Sequence, residues 1–380
     1  MESAHANLHS ERGPLRGEHP GRSRDPVIKV RDLAWLEFEK TNLRRAESFA
    51  RDFGFAVAAR TPDALYLRGT LPGRQCVVIR RGPRSRFVGP AFQAAAAEDL
   101  TRLARVTGAE VRVLADVFDD GGGGGGGGGR VVDLRDPSGI PVRVVHGTAE
   151  LPALPEQPVL TMNTGPYPAR INAVQRPAPE PARVRRLGHV VLETRWFERA
   201  LDWYLDTLGM IVSDFLFLDD QRDRGPTMAF IRCDRGGEPA DHHTLAMHLG
   251  PGVGYVHSAY QVADMDAVAA GGEYLAARGY RRVWGIGRHI QGSQIFDYWR
   301  DPDRLMVEHF ADGDLFDCAV EPGWAPMSAS GLAQWGPPVT RDFLGTNPSP
   351  ALLRSVVTAL REDNEIDVPR LLGLMKAMRA

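Results

Sequence analysis

The stretch Arg186-Leu-Gly-His189-Val-Val-Leu-Glu-Thr194 runs into Trp196–Leu208 and stops at Gly209. The first segment is apolar and β-branched, as a half-buried strand is. The second places Trp196, Phe197 and Trp203 at the spacings of a helix that packs one face on a core, and a glycine after the last turn is the usual helix stop. A matching order of residues occurs upstream, where Asp32-Leu-Ala-Trp35-Leu-Glu-Phe-Glu-Lys40 leads to Gly54. Both blocks also close alike. Val131-Val-Asp-Leu-Arg-Asp-Pro137 is followed by Pro141-Val-Arg-Val-Val145, and Ile295-Phe-Asp-Tyr-Trp-Arg-Asp-Pro302 by Leu305-Met-Val-Glu-His-Phe310. The two blocks are therefore divergent copies of one unit.

Within the C-terminal copy the pattern halves again. A strand at 185–193, a helix at 196–208 and strands to 249 are followed by a strand at 255–262, a helix at 264–278 and three strands to 310. The unit is thus βαβββ, roughly 55–65 residues long. One helix for every four strands predicts an α+β fold with curved, mostly antiparallel sheets: tandem βαβββ modules paired into two half-open barrel domains. Residues 1–26 read as a flexible tail and 27–150 as the N-terminal domain. Residues 151–182, interrupted by Pro152, Pro155, Pro158, Pro166, Pro168, Pro177, Pro179 and Pro181, read as a linker. Residues 183–315 form the second domain, and 316–380 an extension with short helices at Pro350–Arg361 and Val368–Met378. The nine glycines at 121–129 lack the strand–helix context of a phosphate loop and read as a floppy connection.

Composition narrows the function. In 380 residues, 46 basic groups stand against 48 acidic ones, giving a charge of −2. Nucleic acid and anionic membranes are therefore not expected partners. Only Lys29, Lys40 and Lys376 are lysines, an arginine bias read as a coding preference and not as phosphate recognition. No apolar stretch is long enough to span a membrane, and the first 25 residues have no apolar core of a secretory signal. Cys76, Cys233 and Cys318 are far apart and show no CxxC pairing. Free thiols of a cytoplasmic protein are expected.

Histidine placement is the sharpest signal. None occurs between residues 20 and 145, while His189, His242, His243, His248, His257, His289 and His309 crowd into the C-terminal copy. His189 and His257 lie in the first strands of the two half-units, and Glu308 in the last strand of the second. Paired about a pseudo-twofold, these strands bring two imidazoles and one carboxylate together. That set leaves one face of a metal open, as non-haem Fe(II) activating dioxygen requires. The N-terminal copy is an internal control. There Trp35 replaces His189 and Arg143 replaces Glu308, so that copy is expected to hold no metal.

The string Gly287-Arg-His289-Ile-Gln-Gly-Ser-Gln-Ile-Phe-Asp-Tyr298-Trp-Arg-Asp-Pro302, with Val307-Glu308, resembles the signature of the type I extradiol ring-cleavage dioxygenases of the vicinal oxygen chelate superfamily. His242-His243-Thr-Leu-Ala246 resembles the same family's catalytic segment. The likeness is specific over 184–312, weaker over 28–147, and does not extend to the tail, the polyglycine tract or residues 320–380. It implies that His189, His257 and Glu308 bind Fe(II), with Mn(II) an alternative. It implies that His243 is the acid/base and that His289 and Tyr298 hydrogen-bond the substrate and the oxygen intermediate, as an imidazolium and a phenol can. The substrates would be a small aromatic diol and O2, and the barrel edges imply a homo-oligomer.

Other readings stand beside these. Tyr298 also fits a core or rim tyrosine, since it alternates with Phe296 and Arg300. His242 and His243, consecutive on a strand, point to opposite faces, so only one of them enters the cavity; His243 is chosen by the motif. His248 and His309 read as surface or structural, and Arg288 as an ion-pair partner. The rival functions are a 4-hydroxyphenylpyruvate dioxygenase-like oxygenase, a Zn or Ni isomerase of glyoxalase type, and a non-catalytic protein that binds aromatic compounds.

Overall fold

A computed structural model of the chain describes residues 11–115, 129–177 and 179–379. The polyglycine expectation at 121–129 falls almost wholly outside the described residues. After a two-residue strand β1 (Glu11–Arg12), the first module contains β2 (Val30–Lys40), α1 (Leu43–Phe53), β3 (Ala56–Arg60), β4 (Ala64–Arg68) and β5 (Val77–Arg81). The second contains β6 (Arg86–Ala94), α2 (Ala97–Thr107), β7 (Val111–Val113), β8 (Arg130–Arg135) and β9 (Pro141–His146). The third is β10 (Arg186–Thr194), α3 (Phe197–Leu208), β11 (Met210–Phe217), β12 (Met228–Cys233), the short β13 (Ala240–Asp241) and β14 (Leu245–Leu249). The fourth is β15 (Gly254–Gln261), α4 (Met265–Ala277), β16 (Arg281–His289), β17 (Ile295–Arg300) and β18 (Met306–Ala311). Then come β19 (Leu315–Phe316), β20 (Gly323–Pro326), β21 (Ala333–Trp335), α5 (Pro350–Ala359) and α6 (Val368–Ala377).

The fold is α+β with two sheets of the same strand order. The N-terminal sheet runs β3-β4-β5-β2-β6-β9-β8-β7 and the C-terminal one β11-β12-β14-β10-β15-β18-β17-β16. In each, the opening strands of its two modules pair antiparallel at the centre, and each opening strand pairs parallel with the last strand of its own module. This is the predicted pairing of βαβββ modules. Gly54 and Gly209 close α1 and α3 in the left-handed region that glycine tolerates best.

The two Asp-Pro turns are built alike. Asp136 accepts from the Ile140 N–H at 2.9 Å, and Asp301 from the Leu305 N–H at 2.9 Å. Each aspartate thereby satisfies a turn that proline cannot serve as donor. The sheets pack together through contacts the repeat alone does not show. The Phe53 ring stacks on His309 with centroids 3.8 Å apart, and the His309 Nε2–H donates to the Phe53 carbonyl. Lys40 is buried between Asp301 and Asp303 of the other domain.

One expectation is corrected. Residues 11–26 do not run free as a tail. β1 pairs with β20, Val212 N–H donates to Gly21 O at 2.7 Å, and His19 bonds Asp202 at 2.9 Å. Polar composition resembles a tail, but an open sheet edge at β20 takes up these backbone groups. The extension is likewise part of the sheet: β20 adds to β11 and β21 to β16. Its Glu365 carboxylate accepts from the Glu198 and Arg199 N–H groups at the start of α3, where Trp196 cannot cap.

Candidate metal centre

The β10–β15 register shifts between Leu187 and His189, so Gly188 forms a bulge. A Cβ on Gly188 would lie 2.3 Å from the Phe310 ring, so the chain needs glycine here. Past the bulge, His189 pairs with Ala259, and Ala259 with Glu308 on β18; Val191 pairs with His257. The three predicted ligands therefore meet at the centre of the C-terminal sheet. Glu308 Oε2 lies 3.3 Å from His189 Nε2 and 3.4 Å from His257 Nε2, and one ligand atom from each residue falls within 4.8 Å of the others.

All three are buried, and Glu308 is fully so. Neither Glu308 oxygen has a hydrogen-bond partner of good geometry, and the Nδ1 atoms of His189 and His257 are also unpartnered. A buried carboxylate without a hydrogen-bond donor is costly unless a cation occupies the space beside it. Burial alone would raise the Glu308 carboxyl, but the two imidazoles hold it well below the usual carboxylate range. Burial is also the main cause of the lowered His257 imidazole. The pocket thus favours an anionic carboxylate and a neutral imidazole, the ligand forms of both groups. The donor set and its unsatisfied atoms fit a divalent metal.

Beside the triad, the His243 ring lies 4.0 Å from that of His189. The expected opposition of His242 and His243 is not what the structure shows. They occupy the bend between β13 and β14, outside the alternating part of the strand, and both are buried with Nδ1 atoms 3.0 Å apart. His242 Nε2 lies 2.6 Å from Asp214 Oδ2. A carboxylate accepts, so Nε2 of His242 carries a proton, and the two Nδ1 atoms share the one that lies between them. With His243 Nδ1–H as the donor of that bond, a neutral His243 has its Nε2 unprotonated. Burial and the neighbouring imidazoles push His243 well below the ordinary histidine value, which keeps it neutral.

His289 and Tyr298 are paired at 2.8 Å. The Leu332 carbonyl, 2.8 Å from His289 Nδ1, can only accept, so Nδ1 carries the proton and Nε2 accepts from the Tyr298 hydroxyl. Burial lowers His289 to about 4, despite the opposing Glu308 charge. The expected imidazolium at this position is corrected to a neutral imidazole. Burial and Glu308 push the Tyr298 phenol well up, so it stays protonated.

Among the described residues the N-terminal copy has no such cluster. By the same register Trp35 occupies the place of His189, Gly89 that of His257, and Arg143 that of Glu308. Arg143 is bound to Glu37 and to Asp133.

Comparison with known proteins agrees with this geometry. Residues 186–309 match the model of the Glyoxalase/Bleomycin resistance protein/Dioxygenase superfamily. Over 335 residues the chain is 31% identical to metapyrocatechase 2 of Cupriavidus necator, covering 87% of this chain and 97% of that one. The chain belongs to the type I extradiol dioxygenase family.

Another family member, the iron-dependent extradiol dioxygenase of Rhodococcus jostii (strain RHA1), is 25% identical over 81% of this chain and 97% of its own. The fold resembles that of homoprotocatechuate 2,3-dioxygenase from Brevibacterium fuscum, with TM-score 0.65 at 19% identity over 87% of this chain and 96% of that one. The Mn(II)-bound glyoxalase from Novosphingobium aromaticivorans shares the fold to the same degree, with TM-score 0.65 and 20% identity over 85% of this chain and 95% of that one. The alignment with metapyrocatechase 2 is longer than the two expected stretches together, so the family likeness also reaches outside them.

Three parts of this extradiol dioxygenase site were not predicted. Asp214 is aimed inward by a second bulge, between Val212 and Asp214 of β11. Its signal was an acidic residue inside an apolar strand. The Leu332 carbonyl belongs to the extension and carries no side-chain signal. The Phe343 ring, also of the extension, lies 4.8 Å from Tyr298 and 6.2 Å from His257.

Proposed function

We propose that the protein opens a catecholic ring beside its two hydroxyls with O2, incorporating both oxygen atoms, at an Fe(II) held by His189, His257 and Glu308. The observation that carries this reading is the buried His-His-Glu triad with His243 against it, bonded through His242 to Asp214. Mn(II) suits the same donors. When bound, the metal supplies a Lewis-acidic centre that acidifies a catechol hydroxyl and brings both reactants together.

The chain's own groups handle protons. His243 Nε2 takes the proton that the catechol must lose, and the resulting charge is favoured by Asp214 through His242. The Tyr298 hydroxyl rests as the donor to His289 Nε2 and would turn that one proton to a developing negative oxygen when substrate is bound. The Leu332 carbonyl holds the His289 ring in place from the far side. Buried walls exclude bulk water from this exchange.

Among the described residues no helix is long and apolar enough to cross a membrane. We read the protein as cytoplasmic, in keeping with three free cysteines, and as a homo-oligomer. The deciding test is oxygen uptake by anaerobically purified, Fe(II)-loaded protein given catechol, 3-methylcatechol and 2,3-dihydroxybiphenyl. A yellow ring-opened product with matching oxygen consumption is expected. No uptake of oxygen by iron-containing protein with any of the three would overturn the reading.

A further inference from the structure

The extension does more at the site than hold His289. Residues 332–343 are fixed to the edge strand β16 at several points. The Trp284 indole N–H donates to Pro337 O at 2.9 Å, Thr340 Oγ1–H donates to Val283 O at 2.8 Å, and Arg288 pairs with Trp335. The backbones meet closely here, since a Cβ on Gly336 would stand 2.7 Å from Gly287 Cα. Phe343 is thereby held against Trp284, with ring centroids 4.6 Å apart, and against Tyr298 and His257. It is a fixed wall beside the candidate ligands.

Phe343 joins one apolar cluster with Trp284 and Met306, and a second cluster contains Val191, Phe230 and Ala246. Val256, next to His257, packs against both, so the two clusters meet beside that candidate ligand. The nearby guanidinium groups are engaged elsewhere. Arg300 donates to Asp342 and Arg288 to Ser293 O and Asp312. Arg341 is exposed. A carboxylate placed against this wall would lose its hydration and gain no cation in return, whereas an alkyl or aryl group would gain by burial.

We infer that the ring opened by this protein carries an uncharged, apolar substituent seated against Phe343. This rests on the catechol reading above. Its test is anaerobic titration of the full-length, Fe(II)-loaded protein, following tryptophan fluorescence, with 2,3-dihydroxybiphenyl, 3,4-dihydroxyphenylacetate and catechol. The biphenyl diol should bind at least about tenfold more tightly than the carboxylate compound, the scale set by apolar pocket contacts. Phe343→Ala should weaken biphenyl diol binding by about tenfold while leaving catechol within about twofold. Arg341→Ala should change none of the three. Equal or tighter binding of the carboxylate compound, an unaffected Phe343→Ala variant, or no binding of any diol would overturn the inference. A carboxylate affinity that falls in Arg341→Ala would overturn it too, by showing a recruited cation. Oxygen uptake with plain catechol reports on the ring-opening reading separately. Its absence alongside a retained apolar preference would defeat that reading and leave only a preference for apolar diols in binding.

Discussion

Glu308 and Arg143 stand at the same register position in two sheets of identical strand order. Glu308 lies opposite Ala259, which pairs with His189; Arg143 lies opposite Ala91, which pairs with Trp35. One copy therefore presents a carboxylate to two imidazoles, and the other presents a guanidinium to Glu37. The same backbone position carries a carboxylate that faces two imidazoles in one copy and a guanidinium in the other.

Removing a ligand should accordingly empty the site without unfolding the sheet. Glu308→Gln and His189→Ala are expected to lower metal affinity at least about 100-fold. Metal analysis after dialysis checks this, with circular dichroism to confirm the fold. Normal iron content in either variant would remove that residue from the ligand set.

His243→Phe should keep its metal and lose about 100- to 10,000-fold in turnover, the usual contribution of a general base. Asp214→Asn tests the groups behind it. The amide can donate where the carboxylate accepts, so the tautomers of His242 and His243 are no longer fixed, and the charge that favours a protonated His243 is lost. The expected result is a lower kcat with the acid limb of kcat/KM moved to lower pH. A lesion of structure alone would alter KM or Tm and leave that limb in place.

Lys40 is buried between carboxylates of the other domain, with Asp303 at 3.2 Å. Burial raises the Asp303 carboxyl, but Lys40 and its other partners bring it below the ordinary value. Lys40→Met leaves the buried Asp301 without its cation and Asp303 with Arg45 alone, and should cost about 3–5 kcal/mol in urea unfolding. A loss within experimental error of zero would show that the pair contributes nothing to domain packing.

Burial raises the Asp136 carboxyl to about 6, although Ile140 N–H and the Tyr204 hydroxyl favour its charged form. Between pH 4 and 6 the folded chain therefore holds a proton at Asp136 that the unfolded chain has released. This group's contribution is present at low pH and lost as pH rises through 6. Asp136→Asn should remove that dependence and gain on the parent by up to about 3 kcal/mol between pH 4 and 7. Parallel stability curves for the two proteins would refute the assignment.

The sequence by itself determined the repeat, the α+β class and the three candidate ligands, because each depends on local pattern. Strand alternation, helix-ending Gly54 and Gly209, and the two Asp-Pro turns are properties of neighbouring residues. The candidate ligand positions follow once the modules are superposed, and Arg143 marks the copy that lacks the same donor set. The tertiary structure alone decided how those residues work. Bulges at Gly188 and Ser213 turn His189 and Asp214 inward, and a register shift of this kind leaves no periodic trace. His242 and His243 meet because the chain bends where alternation would have parted them. Burial, which depends on every packed element, makes His289 a neutral acceptor instead of an imidazolium. Residues 332–343 reach the site only because β16 offers an open edge, and that edge belongs to the folded sheet and not to any stretch of chain.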